Sequence, residues 1–250
     1  MDAMDILQSL LRWIHVVAGI LWIGLLYFFN FVNANFAPTM DGDTKKKVVP
    51  ELMPRALYWF RWGAAFTWVT GVLILLIVFY HGRAALDTGR EWSIGAVAMI
   101  LFVYLAPFIY DLLYKGPLKD PTTGFAAGVV LAAALLFLYG MVGFGFRGYA
   151  IHLGAILGTT MAFNVWFRIW PAQRAIITAT KNGQPPDAAL VALAGTRSKH
   201  NTYMSVPLVF TMLNQHSTWA ASPITLTVIV VVSWAIVYHL YGIAKNVKGF

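Results

Sequence analysis

Seven long apolar runs, separated by short polar segments, dominate the pattern of this 250-residue chain. A helix needs about 20 mostly apolar residues to cross the hydrocarbon core of a bilayer, so each run predicts one membrane span. The runs lie near Ile6–Val32, Tyr58–Tyr80, Trp92–Tyr114, Gly124–Phe144, Ala150–Trp170, Asn201–His216 and Ile224–Tyr241. The sixth is short and contains Pro207. The pattern predicts an all-α integral membrane protein, with one polytopic domain over residues 1–250.

The segments between the runs set the predicted orientation. The two longest, Ala37–Arg55 and Ala172–Lys199, are predicted as loops, the first partly as an interfacial helix. With the N-terminus outside and the C-terminus inside, 14 of the 18 Lys and Arg residues fall on the inner side. Cytoplasmic loops carry such an excess of positive charge, which favours this orientation.

Composition supports a membrane protein and excludes several classes of function. Apolar residues make up 59% of the chain and charged residues 11%, against about 45–50% and about 25% in soluble domains. The absence of cysteine excludes disulfides, thiol catalysis, cysteine-ligated clusters and covalently attached haem. The net charge of +8 matches positive loops, and no nucleic-acid-binding motif accompanies it. Hydrolase and kinase motifs are also missing from the sequence.

Histidines are the side chains in the predicted spans that favour cofactor chemistry. His15, His152 and His216 come from three different spans and fall in the predicted outer half. Two imidazoles on facing helices can hold the iron of haem b, and three can hold copper or zinc. Each histidine can instead be a hydrogen-bonded packing residue. Gly19, one turn after His15, leaves room for a flat porphyrin or equally for a neighbouring helix.

A second candidate site lies on the predicted inner side. Arg197, His200 and Asn201 give the start of the sixth run many hydrogen-bond donors, which suits either an anionic ligand or a cytoplasmic anchor. Asn164 lies deep in the fifth run and needs a hydrogen-bond partner there.

Several segments, taken in order, resemble the membrane domain of the membrane-bound urate oxidase (urate hydroxylase) family. Together they cover most of the chain. The first three are LRWIHVVAGILWIG from Leu11, YWFRW from Tyr58 and YDLL from Tyr110. The fourth is HLGA from His152, which continues to Asn164 and to PAQR from Pro171, and the fifth is RSKHNTY from Arg197, which continues through Pro207 to the NQH that ends at His216.

The resemblance implies a multi-span domain that oxidises urate toward 5-hydroxyisourate in purine catabolism, in a bacterial inner (plasma) membrane. Electrons would pass to a separate cytochrome c or to quinone, because the C-terminal cytochrome c common in the family is not expected here: no C-x-x-C-H motif follows. Matched positions suggest His15, His152, His200 and His216, with the secondary candidates Asn164, Arg197 and Asn201. The family usually has an acidic residue where this chain has Gly63.

Three hypotheses follow. The first is a membrane oxidoreductase of the urate hydroxylase type, with histidine-ligated haem b. The second is a non-enzymatic membrane protein that binds or handles haem or copper. The third is an assembly subunit without a cofactor.

Overall fold

The computed structural model describes residues 3–249, in which seven long helices carry almost the whole chain and the only β-pairing is an isolated bridge. The all-α prediction is therefore confirmed. The helices are α1 (Ala3–Thr39), α2 (Gly42–His81), α3 (Ile94–Lys115), α4 (Pro121–Met141), α5 (Phe146–Lys181), α6 (Ala188–Leu213) and α7 (Pro223–Ala244).

Six of these helices are long and apolar enough to cross a membrane, which identifies an integral membrane protein. The helix α6 is not among them. Polar and charged residues from Thr196 to Thr202 lie in the middle of this helix and lower its average hydropathy. The orientation of the termini stays a prediction.

The two long loops predicted from the sequence are mostly helical, so that part of the prediction is wrong. The helix α2 already begins at Gly42 and continues through Pro50 and Pro54. The segment after the fifth run continues α5 to Lys181, and α6 begins at Ala188. Charged and polar residues interrupt the apolar runs in these helical extensions, so apolar-run length does not detect them.

The chain divides into two compact units. Unit 1 contains residues 3–70, 161–203 and 236–249, and unit 2 contains residues 71–160 and 204–235. The helices α2, α5, α6 and α7 each contribute residues to both units.

In unit 1, α1 and α2 pack as an antiparallel pair. Gly63 is buried, and a Cβ there would lie 3.2 Å from the backbone nitrogen of Trp22 and 3.3 Å from the carbonyl oxygen of Ala18. The side chain of Trp22 is itself buried. Because glycine has no Cβ, it lets the two backbones approach this closely.

In unit 2, a close approach of backbones fixes the start of α5. A Cβ on Gly148 would collide with the carbonyl oxygen of Ala85. Buried aliphatic and aromatic side chains of α3, α4 and α5 pack beside this contact, among them Val103, Leu136 and Leu153. The segment around Ala85 is thereby held against the first turn of α5.

Three π-helical segments interrupt the α-helical geometry. They are Phe28–Asn33 in α1, Leu75–His81 in α2 and Val165–Ile169 in α5. The first contains Asn30, the second contains Tyr80 and the third directly follows Asn164. Such segments are rare and often accompany functional sites, so they direct attention to these three side chains.

Candidate functional site

Unit 1 contains a cluster of buried polar side chains, and the helical period of α6 places two of them on the same face. Arg197 and Asn201 are four residues apart and therefore lie on one face of the helix. That face is buried: Arg197 is 2% exposed and Asn201 is fully buried. A guanidinium in such a place is costly and needs polar surroundings. The two side chains thus share one buried face, and their role in a ligand site stays a prediction.

Asn164 of α5 joins this cluster through Asn201. The Asn164 side-chain amide donates to Asn201 Oδ1 at 2.8 Å, and the Asn201 amide donates to the carbonyl oxygen of Met161 at 3.0 Å. Both asparagine side chains are fully buried. Asn164 thus has the partner that its position in an apolar run required, and the two amides fix the α5–α6 contact.

Asn30 braces the same region from α1, and the sequence reasoning missed it. Its Nδ2 donates to the carbonyl oxygen of Leu26 at 2.9 Å and to Ser198 Oγ at 2.8 Å, and its Oδ1 accepts from the Tyr241 hydroxyl at 2.9 Å. One side chain therefore connects α1, α6 and α7 directly beside Arg197. The detectable signal was a lone asparagine within the apolar sequence FFNF.

His200 and Lys199 lie at the edge of the cluster. His200 is half-buried, one residue before Asn201. The Lys199 ammonium lies 5.4 Å from the centre of the Tyr241 ring, and the rings of Tyr203 and Tyr241 stack with centroids 6.0 Å apart. Lys199 thus adds positive charge beside the tyrosine pair whose Tyr241 hydroxyl bonds to Asn30.

His15 lies on the α1–α2 contact in unit 1. Its Nδ1 is 3.1 Å from Thr70 Oγ1, and that hydroxyl donates to the carbonyl oxygen of Phe66 at 2.6 Å. The hydroxyl proton is thereby used, so His15 Nδ1–H donates to Thr70 and the lone pair remains on Nε2. A ligand to haem iron or copper needs such a lone pair, and the ligand role of His15 stays a prediction.

The space beside His15 belongs to a neighbouring helix. A Cβ on Gly19 would lie 3.8 Å from the Thr67 methyl group. Of the two interpretations of Gly19, the structure favours helix packing. A porphyrin at His15 would have to lie on another side of α1.

His152 belongs to unit 2 and uses both ring nitrogens within the fold. Its Nδ1 donates to the carbonyl oxygen of Gly148 at 2.6 Å, so its Nε2 accepts from the Tyr80 hydroxyl at 3.0 Å. The ring is fully buried, with the Phe144 and Tyr139 ring centroids at 4.7 and 5.0 Å. This arrangement does not fit a metal ligand unless Tyr80 moves away.

His216 is an exposed residue of unit 2, just after α6. Its Nδ1 lies 3.2 Å from Arg147 Nη2, which donates to it. Among residues 3–249, no group of three or more His, Asp or Glu side chains is arranged to hold a metal ion. The joint ligand role of His15, His152 and His216 stays a prediction.

Gly63, where the family usually has an acidic residue, packs against the backbone of α1. A Cβ on Gly63 would meet the backbone of α1 at 3.2–3.3 Å, so a carboxylate side chain has no room in this arrangement. The departure from the family pattern thus goes with a close α1–α2 contact.

Comparison with known proteins agrees with the resemblance seen in the sequence. The family model described as "Urate oxidase N-terminal" matches residues 2–248, nearly the whole chain. Searches of curated proteins and of solved structures found no match. On the family match, the chain belongs to the urate oxidase N-terminal family.

Proposed function

We propose that this chain is a urate-oxidising membrane domain and that the polar cluster of unit 1 binds the substrate. The observation that carries the proposal is Arg197, 2% exposed on the same buried face as Asn201. Family membership supplies the substrate class, and the cluster supplies suitable chemistry.

Urate is a flat purine that is a monoanion near neutral pH and carries carbonyl oxygens and ring N–H groups. The planar Arg197 guanidinium offsets the negative charge and can donate two parallel hydrogen bonds. Besides its bonds to Asn164 and Met161, the Asn201 amide has a second N–H and a second oxygen lone pair, which suit the alternating edge of a purine. His200 would lie at the entrance.

The proposed reaction is a two-electron oxidation that adds the oxygen atom of one water to urate. One urate and one water give 5-hydroxyisourate, two protons and two electrons. The electrons pass to a separate acceptor, a cytochrome c or a membrane quinone. A bound haem b would carry these electrons one at a time, and His15 Nε2 is the nitrogen in unit 1 that suits such a group. His152 is not assigned to it, since both its nitrogens are used.

The experiment measures urate loss and acceptor reduction by protein purified in mild detergent, with ferricyanide or a water-soluble quinone as acceptor. We expect Arg197→Gln to abolish urate turnover and Arg197→Lys to raise the KM for urate. Arg174→Gln removes an exposed arginine and serves as the matched control, with unchanged turnover. A folded Arg197→Gln protein with the wild-type KM would overturn the assignment of the site.

A non-enzymatic haem- or copper-binding protein is the second candidate, favoured by the His15 tautomer alone. The visible spectrum of the purified protein, oxidised and reduced, distinguishes the two. Reduced haem bands that appear on adding urate support the enzyme. Bands that require dithionite and ignore urate support the binding protein.

A further inference from the structure

Arg61, in the first half of α2, holds its guanidinium flat against two tryptophans. Its Cζ lies 3.6 Å from the centre of the Trp170 ring and 5.5 Å from that of Trp166. Its Nε donates to the carbonyl oxygen of Leu57 at 3.2 Å. The stack and this hydrogen bond restrain the guanidinium, and no hydrogen bond joins its two Nη groups to residues 3–249, so their donors suit an added acceptor.

No carboxylate among residues 3–249 forms an ion pair with Arg61. The ion pairs of these residues are Arg55–Glu51, Arg83–Glu91 and Lys115–Asp111. A half-buried arginine at the edge of an apolar surface needs an anion or water for its charge. Residues 3–249 provide no carboxylate at this place.

The outward face of α2 indicates the depth of Arg61 in the bilayer. It changes from charged residues to aromatic residues and then to apolar residues along the helix. These three groups are Glu51 and Arg55; Tyr58, Trp59 and Trp62; and Phe66, Val69 and Leu73. Aromatic side chains concentrate at the level of the lipid headgroups, so Arg61 lies where phosphate groups are dense.

We propose that Arg61, with Trp166 and Trp170, binds the phosphate of an anionic phospholipid. The two Nη groups suit two oxygens of a phosphodiester. The ring of Trp62 lies beside this site, with its centroid 5.8 Å from that of Trp166, and its 40% exposed surface suits the glycerol and acyl parts of the same lipid. This pairing of cation and apolar surface favours a lipid over a free anion. The site is separate from the proposed urate cluster.

The test measures the melting temperature of the purified full-length protein with added phosphatidylglycerol, phosphatidylcholine or inorganic phosphate, and lipid adducts by native mass spectrometry. We expect phosphatidylglycerol to raise the Tm of the wild type more than the other two additions do. Arg61→Gln should lose that increment and the retained adduct, and Arg61→Lys should keep part of both. Arg55→Gln is the matched control on the same helix, because Arg55 already pairs with Glu51.

Two results would overturn the proposal. One is an Arg61→Gln protein that keeps the phosphatidylglycerol increment and adduct. The other is a wild type in which inorganic phosphate gives the same increment, which would identify a site for soluble anions. If Arg61→Gln does not fold, Trp170→Leu removes the stacking partner instead, and a retained adduct in that variant contradicts the site.

Discussion

The Tyr80 hydroxyl lies 3.0 Å from His152 Nε2 and closes the last open position on that buried imidazole. Tyr80→Phe removes this donor and leaves a buried nitrogen without a partner, which costs about 1–3 kcal/mol. We therefore expect a lower Tm in detergent. Tyr238→Phe, at a side chain that is 76% exposed, should leave the Tm unchanged. Equal Tm values for Tyr80→Phe and the wild type would show that the hydrogen bond does not stabilise unit 2.

The His15–Thr70 pair predicts how cofactor content responds to substitution. His15→Gln should remove bound haem or copper, measured by visible spectrum and metal analysis, because the Nε2 lone pair is lost. Thr70→Val keeps the imidazole but removes the acceptor that sets its tautomer, so a partial loss is expected. A His15→Gln protein with its full cofactor content would exclude His15 as a ligand.

The close contact at Gly63 predicts that an acidic residue placed there destabilises the protein. Gly63→Glu should lower the stability by about 1–3 kcal/mol or more, because the α1 backbone must move to admit a Cβ. Gly24→Ala is the control, since no atom lies within 4 Å of a Cβ there. A Gly63→Glu protein as stable as the wild type would contradict this packing.

We expect a substitution of Asn30 to lower the stability of the protein more than the same substitution of the nearby Asn35. Asn30→Leu leaves the Ser198 and Tyr241 hydroxyls without this partner, at a cost of about 1–3 kcal/mol. Asn35 donates only to Phe31 on its own helix, so Asn35→Leu should change the Tm little. If Arg197 binds urate, Asn30→Leu should also raise the KM for urate, because Asn30 holds Ser198 beside it.

Asp120 lies outside the membrane-spanning segments, and we expect it to make the stability of the protein depend on pH. Its carboxylate accepts from the Thr123 backbone N–H at the start of α4, and this bond lowers the pKa of Asp120. A lowered folded-state pKa gives stability that is present above the unfolded pKa of about 4 and is lost as pH falls through the folded pKa. Asp120→Asn still caps the helix without titrating. The Tm difference between the wild type and Asp120→Asn should therefore shrink from about pH 7 to about pH 3. A constant difference would contradict the shift.

The sequence by itself determined the helical membrane class and most of the helix positions. Bilayer thickness imposes a minimum apolar length, and that length can be read without knowing any contact. The same reasoning failed in the polar segments after Ala37 and Ala172, because helices there do not depend on apolar runs. The sequence also indicated that Asn164 needs a partner, since a polar residue within an apolar run does, and the predicted ligand role of Arg197 and Asn201 stays a prediction.

Only the tertiary structure decided what those partners are. It showed that Asn30 and Tyr241 join the polar cluster, that His152 spends both nitrogens on Gly148 and Tyr80, and that α1 occupies the space beside Gly63. These facts depend on residues far apart in the chain. Hydrogen-bond direction and backbone separation arise when helices pack, and no local pattern of residue types contains them.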